Sequence, residues 1–354
     1  MRAIVALPIL LLAAMMSLAA GCVSSDERTT RAIDGLMHKY AGAGPGASLL
    51  VLRDGVPLVR RAYGLADVEH EVAATPATNY RLASVTKQFT AAAILLLVQD
   101  GRVGLDDHVR QWLPSLPAAA DGVTIRQLLT HSSGLIDYED VMPGDTTTQL
   151  RDADVLHLLE SQNQTYFAPG TGYRYSNSGY ALLALIVERA SGQSFPSFLR
   201  QRIFVPLGMQ HTLAFVKGGP AVANRAYGYS ESGAAWQRTD QSLTSAVLGD
   251  GGIYSSIDDL ARWDAALYDD RLLDDEPRRL AFSAHVATDD ADVQYGFGWR
   301  ITGETLWHSG ESIGFRNVIV RYPRQRLTVI ILSNRNDPEP YETAKAIAQY
   351  FLDR

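Results

Sequence analysis

The chain has 354 residues, 46% hydrophobic and 20% charged, values of an ordinary globular protein long enough to bury a large core. Its formal net charge is −7, spread along the chain without blocks. No basic stripe is present to neutralise phosphates, which argues against nucleic acid as a partner.

Met1-Arg2 supplies a short positive start, Ile4 to Leu18 is an apolar run broken only by Pro8 and Ser17, and the small residues Ala19-Ala20-Gly21 follow. This reads as a secretory signal peptide over 1–21, because about 15 apolar residues fall short of the ~20 that span a bilayer. Cys22 is the only cysteine, so no disulfide forms within the chain. Its position resembles a bacterial lipobox, with Ala19 where leucine is preferred and Leu18 one place earlier. The resemblance implies lipidation of Cys22 and an exported protein, periplasmic or in the cell envelope, held on a membrane surface. The alternative is ordinary cleavage that leaves a soluble periplasmic protein. Residues 22–31 read as a polar, flexible tether. No later segment spans a membrane, since the longest apolar run, Ala91–Val98, is far too short.

Ala32–Tyr40 is predicted as an amphipathic helix, ended by the breaker Gly42-Ala43-Gly44-Pro45-Gly46. Ala47–Arg53 and Val56–Tyr63 are predicted strands joined by Asp54-Gly55, which supplies the positive φ of a tight hairpin. Ser84–Gln99 is the clearest helix. It is apolar on all sides, hence buried, and is closed by Asp100-Gly101. Towards the end, Thr305–Ser309, Phe315–Tyr322 and Leu327–Ser333 are predicted strands, and Tyr341–Leu352 a last helix. The fold class is therefore α+β: an antiparallel sheet built from N- and C-terminal strands and flanked by helices, with an inserted, mostly helical lobe. The two lobes are assigned to about 32–80 with 290–354, and about 81–289, within one domain over 32–354.

Polar groups at the head of a buried helix call for an explanation. Ser84-Val85-Thr86-Lys87 sets a hydroxyl and an amine three residues apart, on one face of a helical turn. A serine hydroxyl becomes a nucleophile when a base takes its proton, and a buried amine is one such base. Lysine is scarce: Lys39, Lys87, Lys217 and Lys345 are the only four. A second element, Tyr173-Arg174-Tyr175-Ser176-Asn177, precedes the apolar run Ala181–Val187, so Ser176 or Asn177 caps a helix and Tyr175 stands at its mouth. A phenol relays a proton where cations favour its ionised form, and an asparagine amide both donates to and accepts from a substrate. The third element is Trp307-His308-Ser309-Gly310 with Glu311 next, on a strand where glycine leaves room for a substrate. Each element alone has an ordinary structural reading as a cap or a packed side chain.

Taken together in this order, Ser-x-x-Lys, Tyr-x-Asn and His-x-Gly resemble the penicillin-recognising serine hydrolases. The branch is that of class C β-lactamases, D-alanyl-D-alanine carboxypeptidases, D-aminopeptidases and related esterases. The likeness runs from about Pro45 to Asn334 and includes Arg81–Thr90, Thr124–Leu135, Ile203–Thr212, Gly251–Trp263, Tyr295–Trp299 and Gly314–Arg316. It implies that Ser84 is the acylated nucleophile and that Lys87 and Tyr175 share its proton, either one being the working base. It implies that Asn177, Ser309 and Gly310 bind substrate, that the backbone N–H groups of Ser84 and Glu311 form the oxyanion hole, and that His308 takes the place of the third-motif lysine. No cofactor or metal is implied.

Histidine at 308 replaces a fixed positive charge by a group mostly neutral at pH 7, so carboxylate-bearing substrates are held less strongly there. Arg316, eight residues on, could restore a charge. The expected activity is hydrolysis of small esters, amides or peptides by an acyl-enzyme route, on D-amino-acid or envelope-derived compounds. The rivals are a β-lactamase or D,D-carboxypeptidase, and a non-catalytic lipoprotein that keeps the fold as a binding module. Gly310-Glu311-Ser312-Ile313-Gly314 matches a nucleophile elbow, but a strand follows it and no histidine comes later, so Ser312 is a turn residue. The eight histidines show no metal-binding spacing, and His131 and His211 are read as structural.

Overall fold

Asp54 and Gly55 both take positive φ, 52° and 76°, and so close a two-residue hairpin that matches the twist of its strands. The strands it joins are β1 (Ala47–Arg53) and β2 (Val56–Tyr63). A computed structural model describes residues 25–233 and 235–352. The segment 1–21 expected to be a signal peptide and Cys22 lie outside the described residues. Ser25–Leu36 is helical, so the stretch read as a tether carries helix from Ser25 onwards. Thr29 and Ile33, four residues apart, share one buried face of it, and an Arg31–Glu27 pair lies one turn apart on the exposed side (3.8 Å). His38–Tyr40 forms a separate 3₁₀ turn.

Six more strands complete an eight-stranded antiparallel sheet: β3 (Val286–Ala287), β4 (Gln294–Tyr295), β5 (Arg300–Thr302), β6 (Thr305–Ser312), β7 (Phe315–Tyr322) and β8 (Leu327–Ser333). Their order is β3-β4-β5-β6-β7-β8-β1-β2. The first strand thus lies beside the last, with Ala47 opposite Ser333 and Arg53 opposite Leu327. The chain is α+β, as its pattern implies. β6 runs three residues past the expected Ser309, because it stays paired with β7 as far as Ser312 opposite Phe315.

β8 is buried along its whole length and β1 at all but its last residue, which explains their unbroken apolar sequences. Helices Tyr341–Leu352 and Ile257–Ala266 both pack on β8. Each buried Leu or Ile here contributes roughly 1.5–3 kcal/mol. A buried ion pair ties helix to sheet: Arg321 of β7 donates to Asp264 at 2.6 Å, and Thr328 of β8 donates to the same oxygen at 2.9 Å. The segment between β2 and β3 is mostly helical. It also holds the three-stranded sheet of Tyr80–Arg81, Ile253–Ser255 and Leu213–Ala214, whose first strand delivers the chain to Ser84.

Candidate active site

The helix expected from Ser84 begins instead as a 3₁₀ turn, Ala83–Thr86, and becomes α-helical at Lys87 as Lys87–Gln99. Ala83 has φ +49°, a left-handed conformation that L residues adopt at a cost. This bend lifts Ser84 out of the buried run: Ser84 is half-buried and borders open space, whereas Lys87 has no exposed surface.

Lys87 Nζ has three polar neighbours: Ser84 Oγ at 3.1 Å, Asn177 Oδ1 at 2.7 Å and the Asp250 carbonyl at 3.0 Å. The last two are acceptors without protons of their own. All three accept from the ammonium, whose third N–H points at Ser84 Oγ; once that proton is given up, the two carbonyl acceptors keep the remaining N–H bonds and the lone pair lies on the side of the serine hydroxyl. The arrangement is that of a proton acceptor aimed at Ser84 Oγ.

Asn177 opens the helix Asn177–Ser191, and its amide is committed at both ends, with Nδ2 donating to Glu139 Oε1 at 3.1 Å. It therefore orients Lys87, in addition to any contact with substrate. Ser176 is the N-cap but makes no capping bond. Asp137 does that work instead: its Oδ2 accepts from the N–H groups of Asn177 (2.6 Å) and Ser178 (3.4 Å), and its Oδ1 from that of Glu139 (3.0 Å). A two-oxygen carboxylate reaches both helix starts, which a serine hydroxyl cannot.

Tyr175 presents its ring to Lys87, with Nζ 4.9 Å from the ring centre. Its hydroxyl is buried with no hydrogen-bond partner, so the structure does not bring that oxygen to Ser84 or Lys87 as the shared-proton role requires. Its ring packs against His131, 4.2 Å away centre to centre, and stands edge-on to Tyr295 at 6.4 Å. His131 Nδ1 accepts the N–H of Ser176 at 3.1 Å, and its carbonyl accepts the N–H of Arg174 at 3.0 Å. Burial holds its imidazole well below the ordinary histidine value, with the Lys87 and Arg300 charges acting the same way.

On β6 the period-two alternation separates the third-motif residues. Gly310 faces the nucleophile's turn so closely that an added Cβ would stand 2.1 Å from the Leu82 carbonyl oxygen and 3.3 Å from the Ser84 nitrogen. Its glycine is required by this backbone approach, not by room for a substrate. Ser309 points to the opposite face and does not line the cleft. His308 shares the face of Gly310 but is buried behind the wall, 1% exposed. Its Nε2 accepts from the Tyr295 hydroxyl at 2.9 Å and its Nδ1 donates to the Ser309 carbonyl at 2.6 Å. Burial, aided by the Arg300 and Lys87 charges, keeps it neutral. The structure thus withdraws His308 and Ser309 from direct substrate contact. Arg316 does border the cleft, but its guanidinium is paired with Glu311 at 2.5 Å. Ser312 ends β6 before a Gly314 turn of φ +72°, a hairpin and not an elbow.

The cleft has a volume of about 380 Å³ and is lined by Ser84, Asn177, Glu311 and Ser312, together with residues the motifs did not reveal: Arg81, Glu139 and Asp250. Asp250 lies on Leu248–Gly251, and burial pushes its carboxyl up to about 7 against the pull of the Lys87 charge. The Tyr138 hydroxyl donates to it at 3.1 Å. An acid set among glycines, Gly249-Asp250-Gly251-Gly252, was the available signal. A larger cavity of about 720 Å³, bordered by Arg151, Phe215 and Lys217, holds none of the motif residues.

Three comparisons extend the geometry. A family model described as Beta-lactamase matches residues 29–352. The chain is 33% identical over 329 residues to penicillin-binding protein 4* of Bacillus subtilis (strain 168), covering 88% of this chain and 71% of the relative. It is 28% identical over 337 residues to a D-aminopeptidase of Gluconobacter oxydans (strain 621H), covering 92% of this chain but only 62% of that protein, less than two thirds of its length. Among solved structures, an octameric penicillin-binding protein homologue from Pyrococcus abyssi superposes with a TM-score of 0.82 at 26% identity, over 92% of this chain and 77% of the other.

Proposed function

The chain belongs to the Beta-lactamase family, and from that premise we propose that it is a serine hydrolase acting on small esters or amides through an acyl-enzyme. The observation that carries this reading is the buried Lys87 amine 3.1 Å from the cleft-facing Ser84 hydroxyl, with its other neighbours both carbonyl acceptors. Ser84 Oγ attacks the substrate carbonyl as Lys87 Nζ takes its proton. The tetrahedral intermediate collapses as that proton passes to the leaving group. Water then attacks the acyl-serine as Lys87 Nζ takes its proton, and that proton passes to Ser84 Oγ as the bond breaks and the acid is released. The close approach of Gly310 sets the β6 backbone beside the Ser84 N–H, which supports the amides of Ser84 and Glu311 as the oxyanion hole. Asn177 and Glu139 keep the lysine in line.

Amides of D-amino acids or peptides are the favoured substrate class, in keeping with the name of the Gluconobacter relative. The neutral, enclosed His308 supplies no charge at the third motif, which speaks against efficient β-lactam turnover. An activated-serine fluorophosphonate probe tests the assignment: folded protein is labelled and Ser84→Ala is not. Lys87→Met lowers kcat on p-nitrophenyl esters by about 10²–10⁴-fold. Labelling that persists in Ser84→Ala would refute the nucleophile.

The apolar start and Cys22 support a lipid anchor on a membrane surface of the cell envelope. Metabolic labelling with a fatty-acid analogue, lost in Cys22→Ala, tests this; equal labelling of both proteins would exclude it.

A further inference from the structure

Arg81 stands three residues before Ser84, on the short strand that pairs with Ile253–Ser255. Its backbone is occupied internally, the carbonyl accepting from Asn317 Nδ2 at 2.9 Å. It borders the cleft, so the side chain is what reaches that space, yet the residue is only 2% exposed. Nη2 donates to the Ser245 carbonyl at 2.8 Å, while Nε and Nη1 are buried and meet no carboxylate, the neutral Tyr254 phenol being their polar neighbour. A guanidinium cannot discharge itself, and an unpaired buried charge is among the costliest arrangements a fold can keep.

None of the carboxylates bordering the cleft pairs with it, and Glu139 accepts from Asn177 Nδ2 at 3.1 Å instead. Asp240 is taken by Arg225 at 2.6 Å, Glu311 by Arg316 at 2.5 Å, and the Asp250 carboxyl is turned to Tyr138. The cleft is also bordered by Ser230, Ser242, Thr244 and Asn336, neutral groups able to donate to an anion's oxygens.

The geometry points to Arg81 as the anchor for a carboxylate carried by the substrate, which makes the preferred substrate an anionic ester or amide. The inference rests on Ser84 as nucleophile, and it moves the anion subsite from the third motif to the strand that leads into the nucleophile. Three residues of chain keep the Cα atoms of Arg81 and Ser84 within about 10 Å of each other.

Matched substrates test it on the full chain, with active sites counted by fluorophosphonate titration. One arm places the charge in the acyl part, p-nitrophenyl hydrogen adipate against p-nitrophenyl hexanoate. The other places it in the leaving part, 3-carboxyphenyl butyrate against 3-carbamoylphenyl butyrate. In one arm the carboxylate is favoured at least about tenfold in kcat/KM, and in Arg81→Met that ratio falls to about one. The arm that responds tells which half of the substrate is anchored. Ratios near one in both arms of the wild type, or a preference that survives Arg81→Met, overturn the proposal. If Arg81→Met does not fold, Arg81→Lys decides, since its single shifted ammonium lowers the ratio several-fold and an unchanged ratio rejects the anchor. Protein that labels at Ser84 without any anion preference sinks the Arg81 assignment alone. Protein that neither labels nor turns over any ester sinks the hydrolase reading instead.

Discussion

His131 holds Tyr175 from both sides: its carbonyl takes the N–H before that tyrosine, its imidazole the N–H after it, and the two rings lie 4.2 Å apart, centre to centre. His131 itself has φ +58°. Asparagine tolerates that conformation and offers Oδ1 as an acceptor near the place of Nδ1, whereas phenylalanine fills the space without accepting. His131→Asn is expected to keep kcat within about threefold, and His131→Phe to lose about 10- to 100-fold in kcat with KM little changed. A purely packing role for His131 would be revealed by Phe outperforming Asn.

Gly310→Ala puts a methyl group where the Leu82 carbonyl already lies, at 2.1 Å. The strand and the nucleophile's turn must separate. We expect a fall of about 10²-fold in kcat/KM on p-nitrophenyl esters, with circular dichroism close to that of the wild type. Full activity in this variant would mean that β6 does not hold the Ser84 turn.

Asp250 gives stability a pH dependence of unusual sign. Burial raises its carboxyl to about 7, so the folded protein keeps this proton across a range where the unfolded chain, titrating near ~3.9, has released it. The stabilisation is complete below the unfolded value and is lost as pH rises through about 7. Asp250→Asn stays neutral throughout. Urea unfolding at pH 5 and pH 8 is expected to shift in the variant's favour at the higher pH, by no more than about 4 kcal/mol. Parallel pH curves for the two proteins would contradict the buried carboxyl. His131 and His308 act oppositely, since their depressed values favour folding above about 6.5 and withdraw that support as pH falls below it; both proteins contain them, so the comparison cancels their effect.

Asp264→Ala leaves Arg321, 1% exposed, without its carboxylate. A loss of about 3–5 kcal/mol is expected in chemical denaturation. Asp264→Leu combined with Arg321→Met is expected to recover most of it, because the isolated charge is gone; a double variant as weak as the single one would assign the loss to packing.

Local chemistry was legible in the sequence wherever it decides the outcome. Asp54-Gly55 specifies its hairpin through two positive φ angles, and the bounds of β1, β2, β7 and β8 follow from apolar runs between breakers. Ser84 and Lys87 were legible because one turn of chain fixes their distance. What the motifs could not convey is which atoms a third element leaves free. Tyr175 and His308 stand at the expected positions, yet the ring of Tyr175 packs against His131 and Tyr295, and both ring nitrogens of His308 are taken by Tyr295 and the Ser309 carbonyl, partners that no motif spacing names. Arg81, Glu139 and Asp250 carry no motif at all, and their importance arises from burial, which is a property of the finished packing.

The pairing of β1 with β8 has a consequence for biosynthesis. Ala47 emerges from the ribosome long before Ser333, its partner, is made. Until then the greasy segment Leu49–Leu52 has only the β2 hairpin for company on one edge, and its other edge is open to any strand that passes. That edge therefore stays unpaired until β8 has been made and reaches it, so closure of the sheet waits on a contact of very long sequence separation.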